Sequence, residues 1–94
     1  MIYLDEEHKI IIRDILKDYP YPVYVYGSRS KGNHRQNSDL DVCIIDERVT
    51  FDEILNLQIA FEDSYLPFTV DVVAWKNLSA AFQELIKPDL QLFN

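Results

Sequence analysis

Two short groups of residues in this 94-residue sequence have the types and spacing that nucleotide chemistry needs. Gly27 and Ser28 follow an apolar run directly, and Asp39 and Asp41 stand at the start of the next one. A glycine at such a turn lets the backbone approach a ligand closely, and the amides that begin a short helix can bind phosphate oxygens. The hydroxyl of Ser28 adds a polar group, so we expect this turn to hold phosphate.

The carboxylates after the turn are placed to bind metal ions. Asp39 and Asp41 are two residues apart on a predicted strand, so they point to the same face, roughly 6.5–7 Å apart along the backbone. Like charges held together repel and raise one pKa, and a divalent ion is the simplest resolution. Asp71 lies inside another apolar run, Phe68 to Trp75. If the two strands are neighbours, three carboxylates converge as two-metal phosphoryl chemistry requires.

Each of these groups also has an ordinary structural explanation. An isolated Asp-x-Asp is usually a strand-start cap with solvated carboxylates, and Asp71 alone could merely end a strand edge. The basic residues Arg29, Lys31 and Arg35 are interpreted as a solvated face, with one of them near phosphate. The combined spacing of the glycine turn and the carboxylates favours a functional site.

The elements that must hold these residues follow from apolar periodicity, capping signals and prolines. Thr50 and Glu53 form a predicted capping box, and the buried face of that helix is expected to continue to Tyr65. Asn77 is expected to cap the last helix, which Pro88 ends. The closing segment 89–94 stays undecided. The predicted order is a helix over 5–18, strands over 23–26 and 40–45, a helix over 50–64, a strand over 68–75 and the last helix.

The length allows a single domain over residues 1–94, and the order of the predicted elements makes it an α/β domain. A content of 48% hydrophobic and 27% charged residues is typical of a globular chain. The net charge of −7 repels polyanions, so nucleic acid is not an expected partner, and the local basic cluster suits a small anion such as a nucleotide. Cys43, inside an apolar run, is expected to be a buried thiol without function. No signal peptide and no membrane-length apolar run are found, so we expect a cytoplasmic protein with no membrane partner.

The spacing of the site residues resembles the signature of the polymerase-beta-type nucleotidyltransferase superfamily. The short length makes the chain similar to the minimal nucleotidyltransferases, the MNT proteins found as antitoxin partners of HEPN ribonuclease toxins. Ser30 and Lys31 depart from the family pattern, in which alanine and arginine are common. The likeness spans about 24 to 75 and rests on Gly27-Ser28, ten intervening residues, Asp39-x-Asp41, and the distal Asp71.

The resemblance implies a role for each matching residue. Gly27 and Ser28 would contact the triphosphate of the nucleotide. Asp39 and Asp41 would ligate two Mg²⁺ ions, and Asp71 would complete one metal site and help to deprotonate the attacking hydroxyl. The implied architecture is the minimal nucleotidyltransferase fold, a mixed three-stranded sheet in the order 1-2-3 packed with helices.

The implied reaction is attack of a hydroxyl on the α-phosphorus of a nucleoside triphosphate, with loss of pyrophosphate. The resemblance to MNT antitoxins implies ATP as the donor and a tyrosine of a HEPN-type toxin as the acceptor. The chain would then be an adenylylating, type VII-like antitoxin in a hetero-oligomer. Larger relatives carry an acceptor-binding domain, for which this length leaves no room. Two alternatives stay open: a non-catalytic antitoxin that neutralises its partner by occlusion, and nucleotidylation of a small molecule such as an antibiotic.

Overall fold

A computed structural model describes residues 1–35 and 38–94, so Gln36 and Asn37 lie outside the described residues. The predicted helices over 5–18 and 50–64 and all three predicted strands are confirmed, with ends shifted by a few residues. The elements are α1 (Glu6–Leu16), β1 (Val23–Tyr26), α2 (Ser28–Lys31), β2 (Leu40–Ile44), α3 (Phe51–Glu62), β3 (Val70–Ala74), α4 (Ala80–Ile86) and β4 (Gln91–Leu92), with 3₁₀ turns at Trp75–Asn77 and Lys87–Asp89.

The strands form one mixed sheet in the order β3-β2-β1-β4. β1 is antiparallel to both β2 and β4, whereas β2 and β3 are parallel. The predicted three-stranded sheet is therefore wrong, because the closing segment adds a fourth strand beside β1. The amide of Phe93 donates to the carbonyl of Val23 at 2.8 Å and continues that pairing. A two-residue strand has too little alternation to be predicted from periodicity.

The main core lies between one face of the sheet and the helices α1 and α3. Every second residue of the three longer strands points into it, as the period of two along a strand requires. Burial of this apolar surface supplies most of the driving force for folding. The fully buried members with the largest side chains include Ile12, Leu16, Val23, Val25, Leu40, Val42, Ile44, Val49 and Leu57.

Helix α3 begins at the predicted capping box, which is confirmed. The Thr50 hydroxyl accepts from the Glu53 amide at 3.1 Å, and the Glu53 carboxylate accepts from the Thr50 amide at 3.0 Å. The side chain of Gln58 bonds to the backbone of β3, donating to the Val70 carbonyl at 2.6 Å. The expected burial of Tyr65 is wrong: the helix ends at Glu62, and Tyr65 lies beyond it in solvent.

The opposite face of the sheet carries a smaller cluster of buried residues, Tyr26, Cys43 and Ile86, under α4. The burial of Cys43 is confirmed. Asn77 is not the cap of α4, because it lies in a 3₁₀ turn; Ser79 takes that place, its hydroxyl accepting from the Phe82 amide at 3.2 Å. Within the described residues, no helix is long and apolar enough to cross a membrane.

Candidate functional site

Asp41 of β2 and Asp71 of β3 are directly paired on neighbouring parallel strands. Paired residues project to the same face of a sheet, so the two carboxylates stand side by side. That face is the one under α4, because Cys43, two residues after Asp41, belongs to the cluster there. Asp39 precedes β2 by one residue, and its charge acts on Asp41. The structure therefore brings together the three carboxylates that the sequence singles out.

The electrostatics of Asp41 reflect this crowding. Burial raises the pKa of Asp41 to about 6, and the charges of Asp71 and Asp39 raise it as well. Asp39 and Asp71 are exposed, whereas Asp41 is partly buried between the strands. A group of hard oxygen ligands in which burial and neighbouring charges make one carboxyl group harder to ionise is a suitable set for a divalent cation.

The three carboxylates are more widely spaced than the ligands of a single ion. Across residues 1–35 and 38–94, one set of at least three His, Cys, Asp or Glu side chains has all its ligand atoms within 4.8 Å of one another, and that set is Asp5, Glu7 and His8. Asp5 and Glu7 are exposed, and acidic side chains at the start of α1 are explained by the helix dipole. The site aspartates would therefore have to draw together around a cation.

Gly27 connects the end of β1 to the start of α2 with φ +76° and ψ −152°, a conformation that favours glycine. A Cβ at this position would lie 2.5 Å from Oδ2 of Asp41, so the turn touches the carboxylate directly. Ser28 is the first residue of α2 and is partly buried. The carboxylate oxygens are hard ligands that suit a divalent cation. The turn beside them has no side chain and leaves room for phosphates bound to that cation.

We expect Gly27→Ala to lower the nucleotide transfer that the family resemblance implies and to destabilise the fold by about 1–3 kcal/mol, since a backbone with φ +76° and ψ −152° is essentially restricted to glycine. The new methyl group also displaces the Asp41 carboxylate, so activity should fall further than stability accounts for. Thermal unfolding and transfer assays at a temperature where the variant is folded measure the two effects. Ala60→Gly, in the last turn of α3, is a matched control that costs stability without touching the site. Full transfer activity in Gly27→Ala would contradict the proposed role of this contact.

The sequence predicts that Arg29 belongs to a solvated face. This prediction is wrong, because Arg29 is buried and only 4% exposed. Its Nε donates to the Ser38 carbonyl at 3.0 Å, and its guanidinium also donates to the Tyr3 carbonyl at 3.1 Å. The guanidinium carbon lies 4.3 Å from the centroid of the Phe68 ring. Burial lowers the pKa of Arg29, and the charge of Asp5 opposes this shift. Arg29 therefore ties α2 to the residue before Asp39.

The tail of the chain holds the other side of α2. The buried hydroxyl of Ser30 donates to the Asp89 carbonyl, and the Gln91 amide donates to the Ser30 carbonyl at 2.9 Å. Lys31 forms an ion pair with the Asp89 carboxylate at 3.3 Å. The serine that departs from the family pattern thus has a structural partner. Lys31 and Arg35 are exposed, as predicted.

Tyr26 is a neighbour of the site that the sequence did not single out. It pairs with Asp41 across β1 and β2, and it lies in the cluster with Ile86. Burial raises the pKa of Tyr26 to about 12, with the charge of Asp41 as the next cause. Phe82 stands edge-on to this ring, with the centroids 6.3 Å apart. The sequence feature that could have pointed to Tyr26 is its position directly before Gly27.

Comparison with known proteins gives matches over most of the chain. The sequence profile of the family described as "Polymerase beta, Nucleotidyltransferase" matches residues 10–93. The "Probable protein adenylyltransferase MntA" of Haemophilus influenzae is 39% identical over 80 residues, which covers 84% of this chain and 68% of the relative.

Solved structures share the fold. A crystal structure of a toxin-antitoxin with AMP-PNP superposes with a TM-score of 0.72 at 23% identity, over 96% of this chain and 73% of the other. A mutant of the toxin-antitoxin MntA-HpeT superposes with a TM-score of 0.70 at 21% identity, over 92% of this chain and 71% of the other.

Proposed function

Since the chain belongs to the polymerase beta nucleotidyltransferase family and is a nucleotidyltransferase homologous to MntA, we propose that it transfers AMP from ATP to a HEPN-type toxin. The acceptor is a tyrosine hydroxyl, and the chain acts as a type VII-like antitoxin. The observation that carries the proposal is the pairing of Asp41 with Asp71 beside the Gly27 turn.

Two of the similar proteins support ATP as the donor and a toxin as the partner. The Haemophilus influenzae relative is named a probable protein adenylyltransferase, and adenylyltransferases transfer AMP. One of the structures with the same fold holds AMP-PNP, an ATP analogue, in a toxin-antitoxin complex. ATP and a toxin partner are therefore the first substrates to test.

In the proposed mechanism, the chain holds and orients the reactants rather than forming a covalent intermediate. Asp39 and Asp41 would hold two Mg²⁺ ions, and Asp71 would complete one of the two metal sites. Bound Mg²⁺ would supply charge neutralisation of the triphosphate and of the leaving pyrophosphate. Gly27 and Ser28 hold the phosphates so that the acceptor approaches the α-phosphorus in line with the leaving group.

Asp71 has a second task in this mechanism. Asp71 and Asp39 are exposed, whereas Asp41 is partly buried. Of the two exposed carboxylates, the family resemblance implies Asp71 as the one that takes the proton of the attacking hydroxyl. This assignment needs only the pairing of β2 with β3 and no movement of the backbone.

The test is incubation of the purified protein with Mg²⁺, α-labelled ATP and the product of the neighbouring gene, tested as the HEPN-type partner. We expect label on a tyrosine of the partner, no label with γ-labelled ATP, and none after chelation of the metal. The γ-label control separates AMP transfer from phosphorylation. A stable complex without label would instead support neutralisation by occlusion.

A further inference from the structure

We propose that Tyr65 is a self-modification site, to which a second copy of this chain transfers AMP. The inference rests on the proposed AMP transfer to tyrosine and adds an acceptor within the enzyme itself. It predicts that the purified protein consumes ATP slowly and becomes labelled when its toxin partner is absent.

Tyr65 is the most accessible of the six tyrosines, all of which lie within the described residues, and it is 97% exposed. The hydroxyl of Tyr21 donates to the Glu53 carboxylate at 2.8 Å, and Tyr26 is buried. Tyr3 is 37% exposed, and Tyr19 and Tyr24 are partly buried. To reach a phosphorus atom bound to another molecule, a tyrosine side chain must give up its contacts with its own chain. Tyr65 loses the least packing when it does so.

The backbone around Tyr65 is held in place while its side chain extends into solvent. The Ser64 hydroxyl donates to the Phe61 carbonyl at 2.6 Å and accepts from the Leu66 amide at 3.3 Å. These bonds fix the turn on both sides of Tyr65. An acceptor on an ordered turn loses less conformational entropy on docking than one on a free chain.

Local charges favour the approach of this turn to the site of another copy. Glu62 and Asp63, just before Tyr65, are exposed, and so is Arg35 after the glycine turn. The acidic acceptor segment and this arginine attract each other, which favours one orientation of approach. Each copy has a net charge of −7, so this encounter is transient and does not give a stable dimer.

We place the reaction between two copies because the helix that leads to Tyr65 and the carboxylates lie on opposite faces of one sheet. Helix α3, which leads to Tyr65, packs on the face that carries Val70 and Val72. Asp41 and Asp71 project from the face under α4. The turn with Tyr65 therefore starts from the face opposite the carboxylates of its own chain.

The chemistry is the proposed reaction with a different acceptor. The Tyr65 hydroxyl oxygen forms a bond to the α-phosphorus of ATP, and the bond from that phosphorus to the oxygen bridging to the β-phosphorus breaks. Pyrophosphate leaves with the electron pair, and the phenolic proton passes to the Asp71 carboxylate and then to water. The product is a tyrosyl-AMP phosphodiester, with no change in oxidation state.

A mixing experiment tests the inference. The donor copy carries Tyr65→Phe, and the acceptor copy carries Asp39→Asn and Asp41→Asn with Tyr65 intact and a tag that changes its size. With Mg²⁺ and α-labelled ATP, we expect label on the acceptor copy, located at Tyr65 by peptide mass spectrometry. Tyr65→Phe in the acceptor should remove the label, whereas Tyr3→Phe, the matched control, should keep it.

A parallel reaction separates failure of this inference from failure of the proposed function. It contains the Tyr65→Phe donor copy and the HEPN-type partner. If the partner is labelled while the acceptor copy is not, or is labelled at another residue, the self-modification is wrong and the proposed function stands. If neither protein is labelled, both are wrong.

Discussion

Asp41→Asn is expected to lower AMP transfer by at least ~10²-fold while the protein stays folded, a loss on the order of that caused by removing one transition-state contact. Asp41 is the central carboxylate of the site: it pairs with Asp71 and touches the Gly27 turn. Asparagine keeps the size of the side chain but not its charge, so it holds a divalent cation poorly. Transfer of α-label to the partner measures the effect.

The same substitution should stabilise the metal-free protein at neutral and alkaline pH. The pKa of Asp41 is about 6 when folded and 3.8 as the reference value for the unfolded chain. Folding therefore favours the protonated carboxyl group of Asp41. The stability that this provides is fully present below pH 3.8 and is lost as the pH rises through about 6. After allowance for solvent screening, we expect Asp41→Asn to be about 1 kcal/mol more stable than the wild type at about pH 8.

Thermal unfolding in the presence of a chelator measures this difference. The gap between variant and wild type should close as pH falls to about 4, because both side chains are then neutral. Added Mg²⁺ should raise the unfolding temperature of the wild type and not of Asp41→Asn, since only the native site binds the ion. Asp18→Asn, an exposed aspartate after α1, is the matched control and should change neither property. Equal stability of wild type and Asp41→Asn at about pH 8 would show that crowding of the carboxylates is absent.

The parts of the site predicted from the sequence are those with local signals. Apolar runs locate β2 and β3, and the period of two places Asp39 and Asp41 on one face of the sheet. The pairing of β2 with β3, which brings Asp71 to them, is a nonlocal feature that the family resemblance implied. The roles of these residues in catalysis stay predictions.

The features that the sequence did not reveal depend on contacts between distant residues. The burial of Arg29 comes from the carbonyls of Tyr3 and Ser38 and from the Phe68 ring, none of which is adjacent in sequence. The strand at Gln91–Leu92 exists because β1 leaves an open edge, and a two-residue segment carries no period of its own. The exposure of Tyr65 reflects where α3 ends, and helix ends are the least certain part of a periodic pattern.

Arg29→Ala should have the largest effect on stability, because it removes the side chain that links α2 to two other parts of the chain. The Ser38 and Tyr3 carbonyls would lose a donor, and a buried acceptor without a partner costs about 1–3 kcal/mol. Loss of the contact with the Phe68 ring adds ~1 kcal/mol. We expect a total loss of about 2–4 kcal/mol in the free energy of unfolding, measured by denaturant titration.

Arg29→Lys separates charge from geometry. Lysine keeps the positive charge, but a single ammonium group does not reproduce the planar fork that reaches two carbonyls and lies against an aromatic ring. We therefore expect Lys to recover less than half of the stability lost in Arg29→Ala. Arg35→Ala, at an exposed arginine shortly after α2, should change stability by no more than ~0.5 kcal/mol.

The loss of Arg29 should also reach the site, because its Nε bonds to the residue directly before Asp39. Without this bond the segment that carries Asp39 is no longer fixed to the turn that carries Gly27. Transfer by Arg29→Lys should therefore need more Mg²⁺ than the wild type at a temperature where both are folded, whereas a purely structural role would leave the Mg²⁺ requirement unchanged. An Arg29→Ala protein as stable as the wild type would mean that water or a neighbouring side chain replaces the guanidinium, and the link between α2 and the Asp39 segment would then be dispensable.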